Sequence, residues 1–226
     1  MRVDQVADVV KAKRDPTNKP DETFLYIDIG SINVFTGEIS NPQELSGDEA
    51  PSRARKVVSA FDIIISTCRP TRGAISVVPL ALHNQIASTG FSIIRAKENI
   101  NPFYLCYAIR LTSTLEQFRK WSTGSSYPAI LDEDVEKTLI PIPDIDEQDR
   151  IAFEMQLELE KYNDIINKAN FQFKNTILSI NNSISKMEKR NVNIIPDKTI
   201  TLKEISKQIN KLPSISADNN VLEMDI

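Results

Sequence analysis

The sequence predicts an α+β protein: a mixed α/β domain with a mostly β centre, followed by a long α-helix. Three observations carry this. Short β-branched runs separated by glycines fill residues 24–94, an Asn-Pro pair opens a helical stretch at Asn101, and no Gly or Pro interrupts the chain between Pro143 and Pro196. Of the 226 residues, 41% are hydrophobic and 26% charged, which suffices for one sizeable core plus an elongated element.

The elements follow in order. Val3, Val6, Val9 and Val10 recur at helical spacing and predict a first helix, which gives way over residues 13–20 to a loop by composition. β-type runs come next at residues 24–29, 56–58, 62–66, 75–78 and 86–94, punctuated by Gly30, Gly37, Gly47, Gly73 and Gly90. Asn101 is a good N-cap and Pro102 suits the first helical position, so a helix is expected to about Trp121. Its inner face carries Leu105, Ala108, Ile109, Leu115 and Phe118.

The character of the chain changes at Pro141-Ile142-Pro143. Asp144, Asp146, Glu147 and Asp149 crowd the start of the next segment, and Lys186, Lys189 and Arg190 its end, which matches the helix macrodipole. Along it Ile151, Met155, Leu159, Tyr162, Ile166, Ala169, Phe173, Ile177, Ile180, Ile184 and Met187 recur at spacings of three and four. A helix of roughly 40 residues is about 60 Å long. So long an element cannot bury its stripe in so small a globule, and it needs another helix, in cis or in trans. A protruding coiled-coil arm is expected; the alternative is a helix folded back on its own domain. The expected boundaries are therefore a domain over residues 1–143, the long helix over 144–192 and a tail over 193–226.

That tail resembles the start of the chain. Leu202, Ile205 and Ile209, a polar loop and residues 221–226 echo Val3, Val6 and Val10, a polar loop and residues 25–29. Thr201 and Glu204 form a capping box, so the tail reads as the first elements of a second, incomplete repeat.

The side-chain inventory excludes several chemistries. One histidine, His83, cannot build a histidine-rich metal site, and Cys68 and Cys106 are too distant in sequence for a zinc knuckle. Two cysteines imply no disulfide framework and fit a reducing compartment. There is no P-loop and no G-x-G-x-x-G, and no lysine follows an acid at the two-residue offset common in magnesium-dependent nucleases. His83 reads as an ordinary turn or partly buried histidine, although a small hydrolase would have to use it. Asp132, Glu133, Asp134 and Glu136 read as a solvated turn opening a short element rather than as a metal or acid-base pair. No signal peptide and no membrane-length apolar run is visible, so a soluble, cytoplasmic protein without a cofactor of its own is expected.

A net charge of -4 predicts no blanket affinity for nucleic acid, but charge is local. Between residues 53 and 97, Arg53, Arg55, Lys56, Arg69, Arg72, Arg95 and Lys97 oppose one acid, Asp62. An ordinary solvated face is the plain alternative. Arg69 and Arg72 fall in a loop after a strand, with Ser66, Thr67 and Thr71 nearby, where a fork of donors reaches a groove and can pair with guanine. Gly124, Ser125, Ser126, Tyr127 and Pro128 make a second candidate surface, whose hydroxyls and backbone N–H groups suit phosphate positioning rather than base reading. A turn with Tyr127 packed on the domain is the alternative there.

At this point the sequence resembles the specificity subunits of type I restriction-modification enzymes. The residues that carry the resemblance are Tyr26-Ile-Asp-Ile-Gly-Ser31, Ala54-Arg-Lys-Val-Val58 with Asp62-Ile-Ile-Ile-Ser66 and Arg69-Pro70, and Ile86-Ala-Ser-Thr-Gly-Phe91 leading to Ile94-Arg95. Gly124-Ser-Ser-Tyr-Pro-Ala-Ile130 and Pro141-Ile-Pro143 with Gln148, Ile151 and Ala152 continue it. In that family each target-recognition domain reads half of a bipartite DNA site and is followed by a long helix, and the two helices pair antiparallel. The resemblance implies a non-catalytic specificity subunit with one such domain, which pairs as a homodimer through its helix. It implies double-stranded DNA and a methyltransferase (modification) subunit as partners, with a restriction translocase recruited indirectly. S-adenosylmethionine, ATP and magnesium would belong to those partner subunits. No Asn/Asp-Pro-Pro-aromatic methyltransferase motif occurs here. The candidate DNA-binding set is Arg53, Arg55, Lys56, Arg69, Arg72, Thr89, Arg95, Ser125, Ser126 and Tyr127. The alternative from another class is a coiled-coil assembly or decoy protein that binds the methyltransferase subunit without reading DNA.

Overall fold

The computed structural model describes residues 1–124 and 126–190, the last four by backbone alone. It divides into two units, Met1–Ile166 and a second that begins at Asn167. In the first unit a short helix α1 (Val3–Val6) leads into strand β1 (Ala7–Val9), then β2 (Thr23–Ile27), β3 (Gln43–Ser46), β4 (Ala54–Val57), β5 (Ile63–Ser66), β6 (Ile75–Val77), β7 (Ile86–Ser88) and β8 (Phe91–Ala96). These strands form two four-stranded sheets. One is antiparallel in the order β1-β8-β5-β6. The other runs β3-β2-β7-β4, with β2 and β7 parallel and both edges antiparallel.

Strand periodicity explains the layers. In β5, Ile63 and Ile65 face a core shared with the helices, whereas Ile64 faces a core between the sheets. β8 repeats this, with Ile94 on the helix side and Phe91 and Ile93 between the sheets. A strand buried on both faces reads as a continuous apolar run, as 63–65 does. On the outer face of the second sheet Phe24, Tyr26, Ala54 and Ile86 form a third, smaller core.

Four helices cover the first sheet: α1, α2 (Pro102–Arg110), α3 (Thr112–Trp121) and α4 (Asp132–Glu136). The Asn101 side chain accepts from the N–H groups of Phe103 and Tyr104, as the N-cap reading expects. Leu105, Ala108, Ile109 and Phe118 are buried, with Leu115 packed beside them. The single helix expected over 101–121 is two, broken at Leu111 (φ -57°, ψ 142°). The break is held by the Thr114 hydroxyl, which donates to the Ala108 carbonyl at 2.9 Å and satisfies a group left without a helical partner. Asp134 in α4 accepts from the Leu131 N–H at 2.8 Å and from Lys137 at 2.6 Å, so the acidic run caps its own turn.

Two other expectations are corrected, and one strand is added. The helix read from the N-terminal valines ends at Val6, and Asp8 and Val9 pair with Arg95 and Ile94 instead. Pairing with an open strand edge satisfies more backbone groups than one further helical turn, and β-branched valine suits it. The run at 86–94 is two strands in different sheets, because Thr89 and Gly90 carry the chain from one sheet to the other. Strand β3, rich in polar residues at a sheet edge, gave no periodic signal.

Helix α5 (Ile145–Arg190) is the long helix that the stripe and the charge gradient predict. Its beginning is anchored in the first unit. Gln148 is buried, its Nε2 donating to the Pro143 carbonyl at 2.9 Å and its Oε1 accepting from the Asn101 N–H at 3.1 Å. Ala152 lies in the core and Ile151 packs beside it. Farther on, Met155, Leu159 and Tyr162 line a cleft with Phe35, Tyr107 and Arg110, and Asn163 donates to Glu38 at 2.9 Å. The described part of the second unit is helical throughout, with Ala169, Phe173, Ile177, Ile180 and Ile184 exposed. The side chain of Met187 and the repeat-like tail at 199–226 lie outside the described residues. Among the described residues no helix is long and apolar enough to cross a membrane.

Candidate nucleic-acid interface

Several candidate residues gather at one end of the two sheets. β5 and β7 finish there, at Ser66 and Ser88, while β4 and β8 begin there, at Ala54 and Phe91. The residues just beyond these strand ends are joined by backbone hydrogen bonds. The Arg53 carbonyl accepts from the Thr89 N–H at 2.8 Å, and the Gly90 carbonyl accepts from both the N–H and the hydroxyl of Thr67 at 2.8 and 2.9 Å. A Cβ on Gly90 would lie 3.0 Å from Ile29 Cδ1, so glycine lets the two loops close on each other.

The same end brings the two sequence-derived surfaces together. The Arg69 N–H donates to the Pro128 carbonyl at 2.7 Å, the Ile130 N–H donates to the Thr67 carbonyl at 3.0 Å, and Cys68 bridges Ala129. Segment 67–69 thus pairs with 128–130, and the Arg69 guanidinium stands 4.8 Å from the centre of the Tyr127 ring. Arg72 is exposed at the close of the turn Pro70–Arg72, just before Gly73 at φ +70°. Arg69, Arg72 and Tyr127 line a cleft of about 380 Å³ with Gly30, Val34 and Ala74. Ser126 is exposed beside Tyr127, and Ser125 lies outside the described residues.

The remaining basic residues differ from these. Arg95 is at the far end of β8 from Phe91, where its Nε and Nη2 donate to the two oxygens of the buried Asp62 carboxylate at 2.7 and 3.0 Å. Arg55 pairs with Asp15 at 3.3 Å and donates to the carbonyls of Pro51 and Ala54. Lys56 is half-buried and donates to the Phe91 carbonyl at 2.6 Å; burial lowers its pKa, and Asp132 partly counters that. Arg53, Arg69 and Arg72 have no ion-pair partner among the described residues. They are the cations of this segment left able to meet an external anion.

Sequence reasoning named Thr67 beside Arg69 and Arg72 but did not name Ile29 or Gly30 as part of this end. The signal for Ile29 and Gly30 was the run Tyr26-Ile-Asp-Ile-Gly-Ser31, whose Asp28 side chain accepts from the Ser31 N–H and hydroxyl at 2.8 and 2.9 Å and shapes the loop. Nothing local signals the pairing of 67–69 with 128–130, which joins residues some 60 positions apart.

Comparison with known proteins places this architecture. The crystal structure of the HsdS subunit from Thermoanaerobacter tengcongensis superposes with a TM-score of 0.66 at 36% identity, covering 82% of this chain and 48% of that one. A solved structure concerning complex assembly and conformational transition of the type I R-M system gives a TM-score of 0.66 at 36% identity, over 83% of this chain and 48% of that one. The specificity subunit of the type I restriction enzyme HindI of Haemophilus influenzae is 32% identical over 133 residues, which cover 56% of this chain and 28% of that subunit. The chain thus spans about half the length of the solved relatives, and less of the curated one. In class, the fold is that of a restriction-modification specificity subunit. A model of the type I restriction modification DNA specificity domain matches residues 1–170, and the chain belongs to that family.

Proposed function

We propose that this chain is a non-catalytic DNA-specificity subunit of a type I restriction-modification system, reading one half of a bipartite duplex target through the end that carries Arg53, Arg69, Arg72, Thr89, Ser126 and Tyr127. The observation that carries this reading is the convergence of unpaired arginines and the segment 126–130, remote in sequence, on one sheet end. Arginine supplies the bidentate contact that guanine accepts in the major groove, and hydroxyls and backbone N–H groups position phosphates.

Two copies pair antiparallel through α5, and the twofold axis makes the half-sites inverted repeats. The helix length then sets the gap between them. The methyltransferase subunit is recruited to this scaffold, and through it the restriction translocase. S-adenosylmethionine, ATP and magnesium are bound by those partners.

The test is Arg69→Ala with Arg72→Ala. The double variant is expected to lose sequence-specific duplex binding while still dimerising and still binding the methyltransferase subunit. Unchanged target recognition would refute the reading and favour an assembly or decoy protein that reads no DNA.

A further inference from the structure

We propose, on the basis of that DNA-reading assignment, a division of labour within the site: Arg69 discriminates a base pair, Tyr127 is the positioning residue that holds its guanidinium ready, and Arg72 serves a phosphate. This changes the role of Tyr127 from a phosphate donor to a brace.

Three features of Arg69 point there. Its backbone is left-handed, at φ 49° and ψ 53°, a region uncommon for any residue but glycine. The following Pro70 makes this more costly, because a residue before proline is biased toward extended conformations. Such a conformation persists only where surroundings impose it. Here the Arg69 N–H is tied to the Pro128 carbonyl at 2.7 Å and its carbonyl accepts from the Arg72 N–H at 3.0 Å. The direction in which the side chain leaves the backbone is therefore set by the segment that carries Tyr127.

The side chain is then held over the Tyr127 ring at 4.8 Å. Tyr127 is 70% exposed. A hydrophobic packing role would bury it; a brace for a surface cation leaves it in place at the rim. A guanidinium held over an aromatic face has already given up much of its rotamer freedom, and its planar fork of donors stays available for paired acceptors. Base discrimination depends on such a fixed fork, whereas a phosphate accepts a charge from many directions. Arg72, exposed and without an aromatic or acidic partner among the described residues, suits the second task.

The experiment is selection from a randomised duplex library by the full chain, with sequencing of the bound fraction, for the wild type and four variants. Tyr127→Phe keeps the ring and is expected to keep the wild-type preference. Tyr127→Leu and Arg69→Lys are expected to lose preference at the same single base-pair position, by about 5- to 150-fold, with other positions unchanged. Arg72→Ala is expected to weaken all sequences alike and to reduce the slope of log affinity against log salt by about one.

Retention of the full preference by Tyr127→Leu would overturn the proposal, as would a uniform loss of affinity in Tyr127→Phe, which would make the hydroxyl a phosphate donor. Should Tyr127→Leu fail to fold by circular dichroism, Arg69→Lys decides alone: an unchanged preference overturns the assignment of Arg69. A wild-type chain that selects no sequence would instead overturn the DNA-reading assignment itself.

Discussion

Arg95 shows how a cation can belong to the fold rather than to a partner. Asp62 is buried, and its carboxylate accepts from the Ser59 N–H at 2.8 Å as well as from the Arg95 guanidinium. The hydrogen bond to Asp62 holds the Arg95 pKa above its usual value. Deleting the guanidinium leaves a buried carboxylate with a single N–H donor. Because Arg95 is itself half-exposed, solvent screens part of the loss, and a cost of about 2 kcal/mol is reasonable. Arg95→Ala is therefore expected to lower Tm by about 4–8 °C and to leave the selected DNA sequence unaltered. An intact Tm with a changed target preference would return Arg95 to the interface. Composition places Arg95 and Arg69 in one basic segment; their partners and their places in the fold separate them.

Among the elements, the root of α5 is the joint on which the domain and its helix depend. Gln148 serves two backbone groups on either side of that joint, the Asn101 N–H at the start of α2 and the Pro143 carbonyl before α5. Gln148→Leu fills the same volume but takes this partner from both part-buried groups, at a cost of about 2 kcal/mol. Amide hydrogen exchange is expected to speed up selectively in the first turns of α5 and α2, and uniform protection equal to wild type would show that the joint does not rely on this side chain. The elements that were legible in the sequence are those governed by neighbours a few positions away. The Asn101 cap, the dipole-matched ends of α5 and the apolar run of β5 are of this kind. The valines of the N-terminus were not, because β8 competes for residues 7–9 and wins with a ladder of hydrogen bonds that no local pattern records. Residues 86–94 look continuous, and the exchange between sheets at Thr89-Gly90 is invisible until both sheets exist.

At the scale of the whole molecule, the acidic net charge conceals an uneven distribution. Residues 1–143 carry 16 basic and 17 acidic residues and residues 144–226 carry 11 and 14, so most of the negative excess falls in the sequence after residue 143. In the second unit Phe173, Ile177, Ile180 and Ile184 are 69%, 41%, 47% and 49% exposed, a stripe that association with a second helix would cover. Light scattering at micromolar concentration is expected to give the mass of a dimer, and Ile177→Glu with Ile180→Glu that of a monomer. A wild-type monomer under these conditions would remove the twofold argument for inverted half-sites. By itself the sequence determined the α+β class, the long helix with its apolar stripe and the arginine-rich stretch, because each follows from residue type and spacing over short range. Only the tertiary structure decided which arginines share a surface. β8 carries Arg95 roughly 13 Å along the strand from the end where Arg53, Arg69 and Arg72 lie, and the pairing of 67–69 with 128–130 brings Tyr127 beneath Arg69 through contacts that no local rule encodes.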